Sequence, residues 1–140
     1  MKIFTRRRRA RRLEKELGTG LWRQAHDRYV RGLDRYHQIL EGIEDDAVYN
    51  QLVPIGDSLA ERLNTVFELC QRAHQHFPAD GMHVPGGANA LHSALSRAAN
   101  HVATTAEAAA MVRLQHGDVQ AVQRRAEQVH ACLDQAEAAL

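Results

Sequence analysis

The chain has 140 residues, of which 44% are apolar and 25% charged, and its net charge is +1 at pH 7. This length fits one domain. No apolar run approaches the roughly 18 residues of a membrane-spanning helix, and two cysteines are too few for a disulfide-stapled mini-protein.

The first 17 residues form an arginine-rich arm. They hold eight basic and two acidic residues, whereas residues 18–140 hold ten basic and fifteen acidic ones. A dense cluster of arginines attracts polyanions, so we predict that the arm contacts an anionic membrane surface or nucleic acid. The predicted contact residues are Arg6, Arg7, Arg8, Arg9, Arg11 and Arg12. A solvated tail without a function is the alternative.

The sequence next to the arginines bears on the choice of surface and on location. Only Ile3 and Phe4 lie nearby, which is too little aromatic surface for base stacking and slightly favours a membrane. No apolar segment of the kind found in secretory signals follows the arginines. We therefore expect a cytoplasmic protein, peripheral to the membrane where the arm acts there, with Cys70 and Cys132 reduced.

Helix A is predicted over about 19–43. Its apolar stripe advances in alternating steps of four and three residues, which is a heptad seam. The seam consists of Trp22, His26, Tyr29, Leu33, Tyr36, Leu40 and Ile43. An N-cap at Asp45 or Asp46 then predicts the start of the next helix.

Helix B is predicted over about 46–76, with one interruption. Either a single helix kinks at Pro54, which we favour, or a short helix 46–53 precedes another that begins near Ser58. A loop follows over 78–87, which contains two prolines and three glycines. Helices C and D are predicted over about 88–115 and 118–139, separated by a glycine cap at Gly117 and an N-cap at Asp118.

The predicted fold class is all-α. Four long helices with short connections favour an up-down-up-down four-helix bundle, to which residues 1–17 add a basic N-terminal arm or a short extra helix. We treat 1–17 as the arm and 18–140 as the bundle domain. In this arrangement helices B and D are expected to lie diagonally, too far apart for Cys70 and Cys132 to form a disulfide.

Five histidines are predicted to gather at the end of the bundle that carries the long loop. Imidazoles bind transition metals well, so a metal or small-ligand site is the alternative functional hypothesis. Its residues would be His26, His74, His76, His83 and His92. Solvated histidines at helix ends, with His26 hydrogen-bonded in the core, are the simpler interpretation.

Patterns that would indicate an enzyme are weak or missing. Glu127-x-x-His130 and Asp34-x-x-His37 have the spacing of a di-metal bundle site, but the seams lack the four inward carboxylates that such a site needs. The sequence has no glycine-rich phosphate loop, serine elbow or dinucleotide fingerprint. We therefore expect no catalytic residue and no cofactor, and the protein is more easily interpreted as a non-enzyme.

Helix C is unusual because it has very few charges. Between Ala88 and Val112 only Arg97 and Glu107 are charged, and a weakly polar helix of this kind is commonly buried on more than one side. We predict a homodimer through this helix, with Ala99 and Ala103 at the interface. Cover by the N-terminal segment is the alternative. The leading functional hypothesis is a non-catalytic interaction module that self-associates or binds a protein partner.

Overall fold

The computed structural model describes residues 2–140, and these residues form helices without any strand. The all-α prediction is confirmed. The helices are α1 (Lys2–Leu17), α2 (Leu21–Glu41), α3 (Asp46–Glu61), α4 (Leu63–His76), α5 (Asn89–Arg113) and α6 (Val119–Ala138). Within residues 2–140, no helix combines the length and the apolar character needed to cross a membrane.

The arginine-rich segment is a helix, which is the second of the two predicted alternatives. Helix α1 lies along α4 in the same direction: Arg12 is next to Phe67, and Glu16 accepts a 2.6 Å hydrogen bond from Gln71. Leu17 is fully buried in the main core and Leu13 packs against that core. The core therefore extends into the segment that the sequence analysis assigned to the arm.

The predicted helix B spans α3 and α4, but its interruption lies at Arg62 rather than at Pro54. Pro54 lies inside α3 without ending it. Arg62 still has helical dihedral angles, with φ −77° and ψ −8°, so the chain loses regular helical bonding for about one residue. Ser58 does not cap a new helix, because its hydroxyl donates to the carbonyl of Ile55 at 2.7 Å.

Helices α2 and α5 run side by side in the same direction. The Arg28 guanidinium donates to the side chain of Asn100, and further along Gly32 lies against Val102. A β-carbon at Gly32 would be only 2.7 Å from a methyl group of Val102. Glycine is therefore what permits the close approach of these two helices.

Helices α3 and α6 are also neighbours, so the predicted diagonal placement of helices B and D is wrong. Arg62 at the end of α3 contacts Asp134 at 3.1 Å and Glu137 at 3.2 Å. Both cysteines are nevertheless free and buried. Arg62 is level with Asp134, which lies two residues from Cys132 in α6. Cys70 lies eight residues beyond Arg62, about 12 Å further along the helix axis, so the two cysteines are at different levels.

The aromatic residues of the heptad seam in α2 pack in the core and also donate hydrogen bonds to the main chain opposite them. Trp22, Tyr29 and Tyr36 are all essentially buried. Their polar groups donate to the main-chain carbonyls of Phe77, Leu59 and Leu52 at 2.7, 2.7 and 2.6 Å, respectively. Buried aromatic rings with satisfied polar ends indicate core packing.

The long loop closes over the beginning of α2. The amide of Leu21 donates to the carbonyl of Gly81 at 3.0 Å. A β-carbon at Gly20 would lie 2.4 Å from the carbonyl oxygen of Ala79, so a larger residue would displace the loop. The start of α2, the end of α4, the loop and the start of α5 therefore meet at one end.

Two predicted N-caps are confirmed, and the predicted glycine cap is not. Asp45 accepts from the amide of Val48 at 3.1 Å, and Asp118 accepts from the amide of Ala121 at 2.7 Å. The residue with a left-handed backbone after α5 is Gln115, with φ +63°, whereas Gly117 is outside that region.

Candidate functional site

The arginines of α1 lie on the surface of the protein. Arg6, Arg7, Arg8, Arg9, Arg11 and Arg12 are all exposed. Across residues 2–140, no guanidinium of this set pairs with a carboxylate. Arg12 has one defined partner, the ring of Phe67, whose centroid is 5.3 Å from the guanidinium carbon. The charge of α1 is therefore available to an external anion.

Two large apolar side chains accompany this charge at the beginning of α1. Ile3 and Phe4 are 63% and 61% exposed. Neither belongs to the two hydrophobic clusters of the core. The combination of exposed apolar and cationic side chains is typical of helices that lie at a membrane interface.

A cleft of about 570 Å³ lies beneath α1. Its walls come from α1, α2 and the region where α3 meets α4. The lining residues are Arg9, Arg12, Leu13, His26, Val30, Ala60, Leu63, Asn64 and Phe67. This cleft was not predicted from the sequence, because no sequence pattern indicates that α1 packs along α4.

Of the five predicted histidines, His26 is buried and His74 is partly buried. His26 is buried, with Nδ1 2.9 Å from a carboxylate oxygen of Asp27 and its ring edge-on to Phe67. His74 lies against Gly18, and its Nδ1 is buried without a hydrogen-bond partner. These two rings contact different neighbours and do not share a site.

The other three predicted histidines are also separate. His76 and His83 are exposed. His92 packs edge-on to Trp22 and lies 3.3 Å from the Ser96 hydroxyl. Burial, and then the nearby Arg28, lower the pKa of His92 below its ordinary value. In the part of the chain that the structure describes, no three His, Cys, Asp or Glu side chains are grouped so that they could hold a metal ion.

A second feature that sequence reasoning missed is the contact between Ser58 and His130. The hydroxyl oxygen lies 3.2 Å from Nε2 of His130, in a cleft of about 370 Å³ between α3 and α6. Because the hydroxyl already donates to Ile55, the histidine is the donor in this pair. A histidine that donates to a serine cannot remove its proton, so the pair lacks the arrangement of an activated nucleophile. The wrong diagonal placement of these helices concealed the contact.

The predicted interface residues Ala99 and Ala103 have different environments. Ala99 is 3% exposed and packs against α2, whereas Ala103 is exposed. Ala99 therefore faces the core of its own chain, and of the two predicted interface residues only Ala103 is exposed. Both residues line a cleft of about 240 Å³ beside Arg28, Arg31 and Arg35. The few charges of α5 follow from burial between α2 and α6 of the same chain.

Comparisons with protein-family models, with curated proteins and with solved structures find no significant match for this chain.

Proposed function

We propose that this chain is a non-catalytic helical interaction module that attaches to an anionic membrane surface through α1. In this proposal α2, α3 with α4, α5 and α6 form an up-down-up-down four-helix bundle, and α1 is a basic helix added to it. The protein acts in the cytoplasm, peripheral to the membrane. A second copy or another protein is the partner of the bundle.

One observation carries the proposal. All six arginines of α1 are exposed, and none has a carboxylate partner among residues 2–140. Each basic side chain near an anionic leaflet contributes on the order of 1 kcal/mol. Several such side chains on one helix therefore supply enough attraction for reversible binding, and the effect weakens with added salt.

The apolar side chains of α1 favour a membrane over nucleic acid. Ile3 and Phe4 are exposed at the same end of the helix as the first arginines. Single-stranded nucleic acid is commonly held by several aromatic rings, and α1 has one. A lipid interface accepts both the charges and the apolar side chains.

The experiment is a comparison of the full chain with a variant that lacks residues 1–12. Because residues 3–12 are exposed, the deletion should leave the thermal melt nearly unchanged. It should abolish cosedimentation with vesicles of phosphatidylglycerol and phosphatidylcholine. Vesicles of phosphatidylcholine alone and a DNA duplex are the comparison ligands. Binding to anionic vesicles that survives the deletion, or binding to DNA in preference to vesicles, would overturn the proposal.

A further inference from the structure

The cleft beneath α1 has two chemically different parts. Its apolar lining comes from Leu13 of α1, Val30 of α2, and Leu63 and Phe67 of α4. Arg9 and Arg12 of α1 line the same cleft, and no Asp or Glu does. An apolar surface with cations along one wall is complementary to a molecule with an apolar body and a negative end.

The two arginines have free hydrogen-bonding capacity. Among residues 2–140, the arginines that donate side-chain hydrogen bonds are Arg23, Arg28, Arg62 and Arg97, so neither Arg9 nor Arg12 makes one, and neither is in an ion pair. Each guanidinium carries five N–H donors, and a carboxylate or phosphate accepts two of them at once in a charge-assisted pair. Arg12 already lies over the ring of Phe67, which places its charge directly against the apolar lining.

The size of the cleft limits the ligand. About 570 Å³ is within the range of roughly 300–1,000 Å³ found for small-molecule sites. The side chains that form the cleft come from different helices, and Leu13 also packs against the core. The cleft therefore exists in the folded chain before any ligand binds, and its size is suited to a single aliphatic chain.

We propose that this cleft binds one anionic amphiphile of the fatty-acid class. The carboxylate binds Arg9 and Arg12, and the aliphatic chain covers Leu63 and Phe67. This site goes beyond the proposed surface attachment. It shares two arginines with that surface, but it needs no membrane.

The first test separates this site from general charge on α1. Decanoate is titrated below its micelle concentration into the full chain and followed by calorimetry, with inorganic phosphate and uncharged octyl glucoside as comparison ligands. We expect saturable binding of one decanoate per chain and no binding of the two comparison ligands. Loss of both charge-assisted pairs in the double variant Arg9→Gln/Arg12→Gln should weaken decanoate binding about tenfold or more.

A matched variant provides the control. The double variant Arg7→Gln/Arg8→Gln removes the same charge from exposed positions that do not line the cleft. It should keep decanoate binding, and it should weaken vesicle binding because it removes two exposed charges of α1. An equal loss of decanoate binding in the two double variants would overturn the site. Absence of decanoate binding to the unmodified chain would also overturn it, without affecting the vesicle proposal.

The second test blocks the apolar part. Ala60 is exposed and lines the cleft, so Ala60→Trp should fill it and abolish decanoate binding while vesicle binding persists. Ala131→Trp is the control on an exposed position of α6. Decanoate binding that survives in a folded Ala60→Trp variant would contradict the proposal. If that variant melts at a lower temperature than the control, the arginine pairs decide the question, because their positions are exposed.

Discussion

The hydroxyl of Tyr29 donates a hydrogen bond of 2.7 Å to the carbonyl oxygen of Leu59 and thereby joins α2 to α3 inside the core. Burial raises the pKa of Tyr29 above its ordinary value, and the nearby Arg62 opposes this effect. The hydroxyl therefore stays protonated and keeps donating at neutral pH. This hydrogen bond therefore helps to hold α2 and α3 in register.

Replacing Tyr29 with Phe should reduce the free energy of unfolding by about 0.5–1.5 kcal/mol, and by more if the Leu59 carbonyl finds no other donor. Urea denaturation measures the change. Tyr49 is 40% exposed, so Tyr49→Phe is the matched control and should have almost no effect. Equal stability of the two variants would show that the Tyr29 contact contributes nothing.

Gly32→Ala tests the close approach of α2 and α5. In an exposed helix interior, alanine is more favourable than glycine by about 1 kcal/mol. Here the new methyl group would lie 2.7 Å from a methyl group of Val102, so we expect destabilisation instead. The double variant Gly32→Ala/Val102→Ala removes this clash and should recover part of the loss. A Gly32→Ala protein with a raised melting temperature would show that the two helices are further apart.

The limits of the helices could be predicted from the sequence more accurately than the question of which helices pack against each other. Heptad spacing and caps such as Asp45 and Asp118 are local signals, and the predicted helix limits agree with the observed ones to within a few residues. Which helices touch depends on the path of the long loop, which short-range patterns do not encode. The placement of Ala99 and the Ser58–His130 contact depend on that path, whereas the cleft beneath α1 depends on the packing of α1 along α4.

The position of the interruption at Arg62 was also not predicted from local patterns. Pro54 is the strongest helix breaker in the segment, yet α3 accommodates it. Arg62 carries no breaking signal of its own. Its guanidinium contacts Asp134 and Glu137 of α6, and these are contacts between distant parts of the chain.

Stability should decrease as the pH falls below the ordinary histidine pKa of 6.5. Burial, and then a nearby arginine, lower the pKa of His92 and His130; for His130, Asp134 and Glu127 oppose the shift. Because the unfolded chain then binds protons more readily than the native one, protonation favours unfolding in the interval between 6.5 and the lowered native values. Above pH 6.5 these histidines are mainly neutral in both the native and the unfolded chain, so this loss of stability does not occur.

The measurement is urea denaturation at pH 7.5 and at pH 5. The double variant His92→Gln/His130→Gln should show a smaller loss of stability between these two pH values than the unmodified chain. His76 and His83 are exposed, so His76→Gln/His83→Gln is the control and should leave the pH dependence unchanged. The same pH dependence in all three proteins would contradict the assignment to His92 and His130.

The homodimer through α5 remains a prediction, and the structure changes which alanine of α5 should be substituted to test it. Ala99 is buried against α2, so a glutamate there would disturb the fold of one chain. Ala103 is exposed, and Ala103→Glu should convert a dimer into a folded monomer. Ala131→Glu on α6 is the control and should leave the dimer intact. Sedimentation of the unmodified chain as a monomer at tens of micromolar would contradict this prediction.

The salt dependence of binding to anionic vesicles tests the central claim most directly. Because the attraction is assigned to exposed, unpaired arginines of α1, the affinity of the full chain should fall steeply between about 50 and 200 mM salt. The chain without residues 1–12 should show no binding at either concentration. Affinity that stays constant over this range, or vesicle binding retained without α1 arginines, would contradict the account.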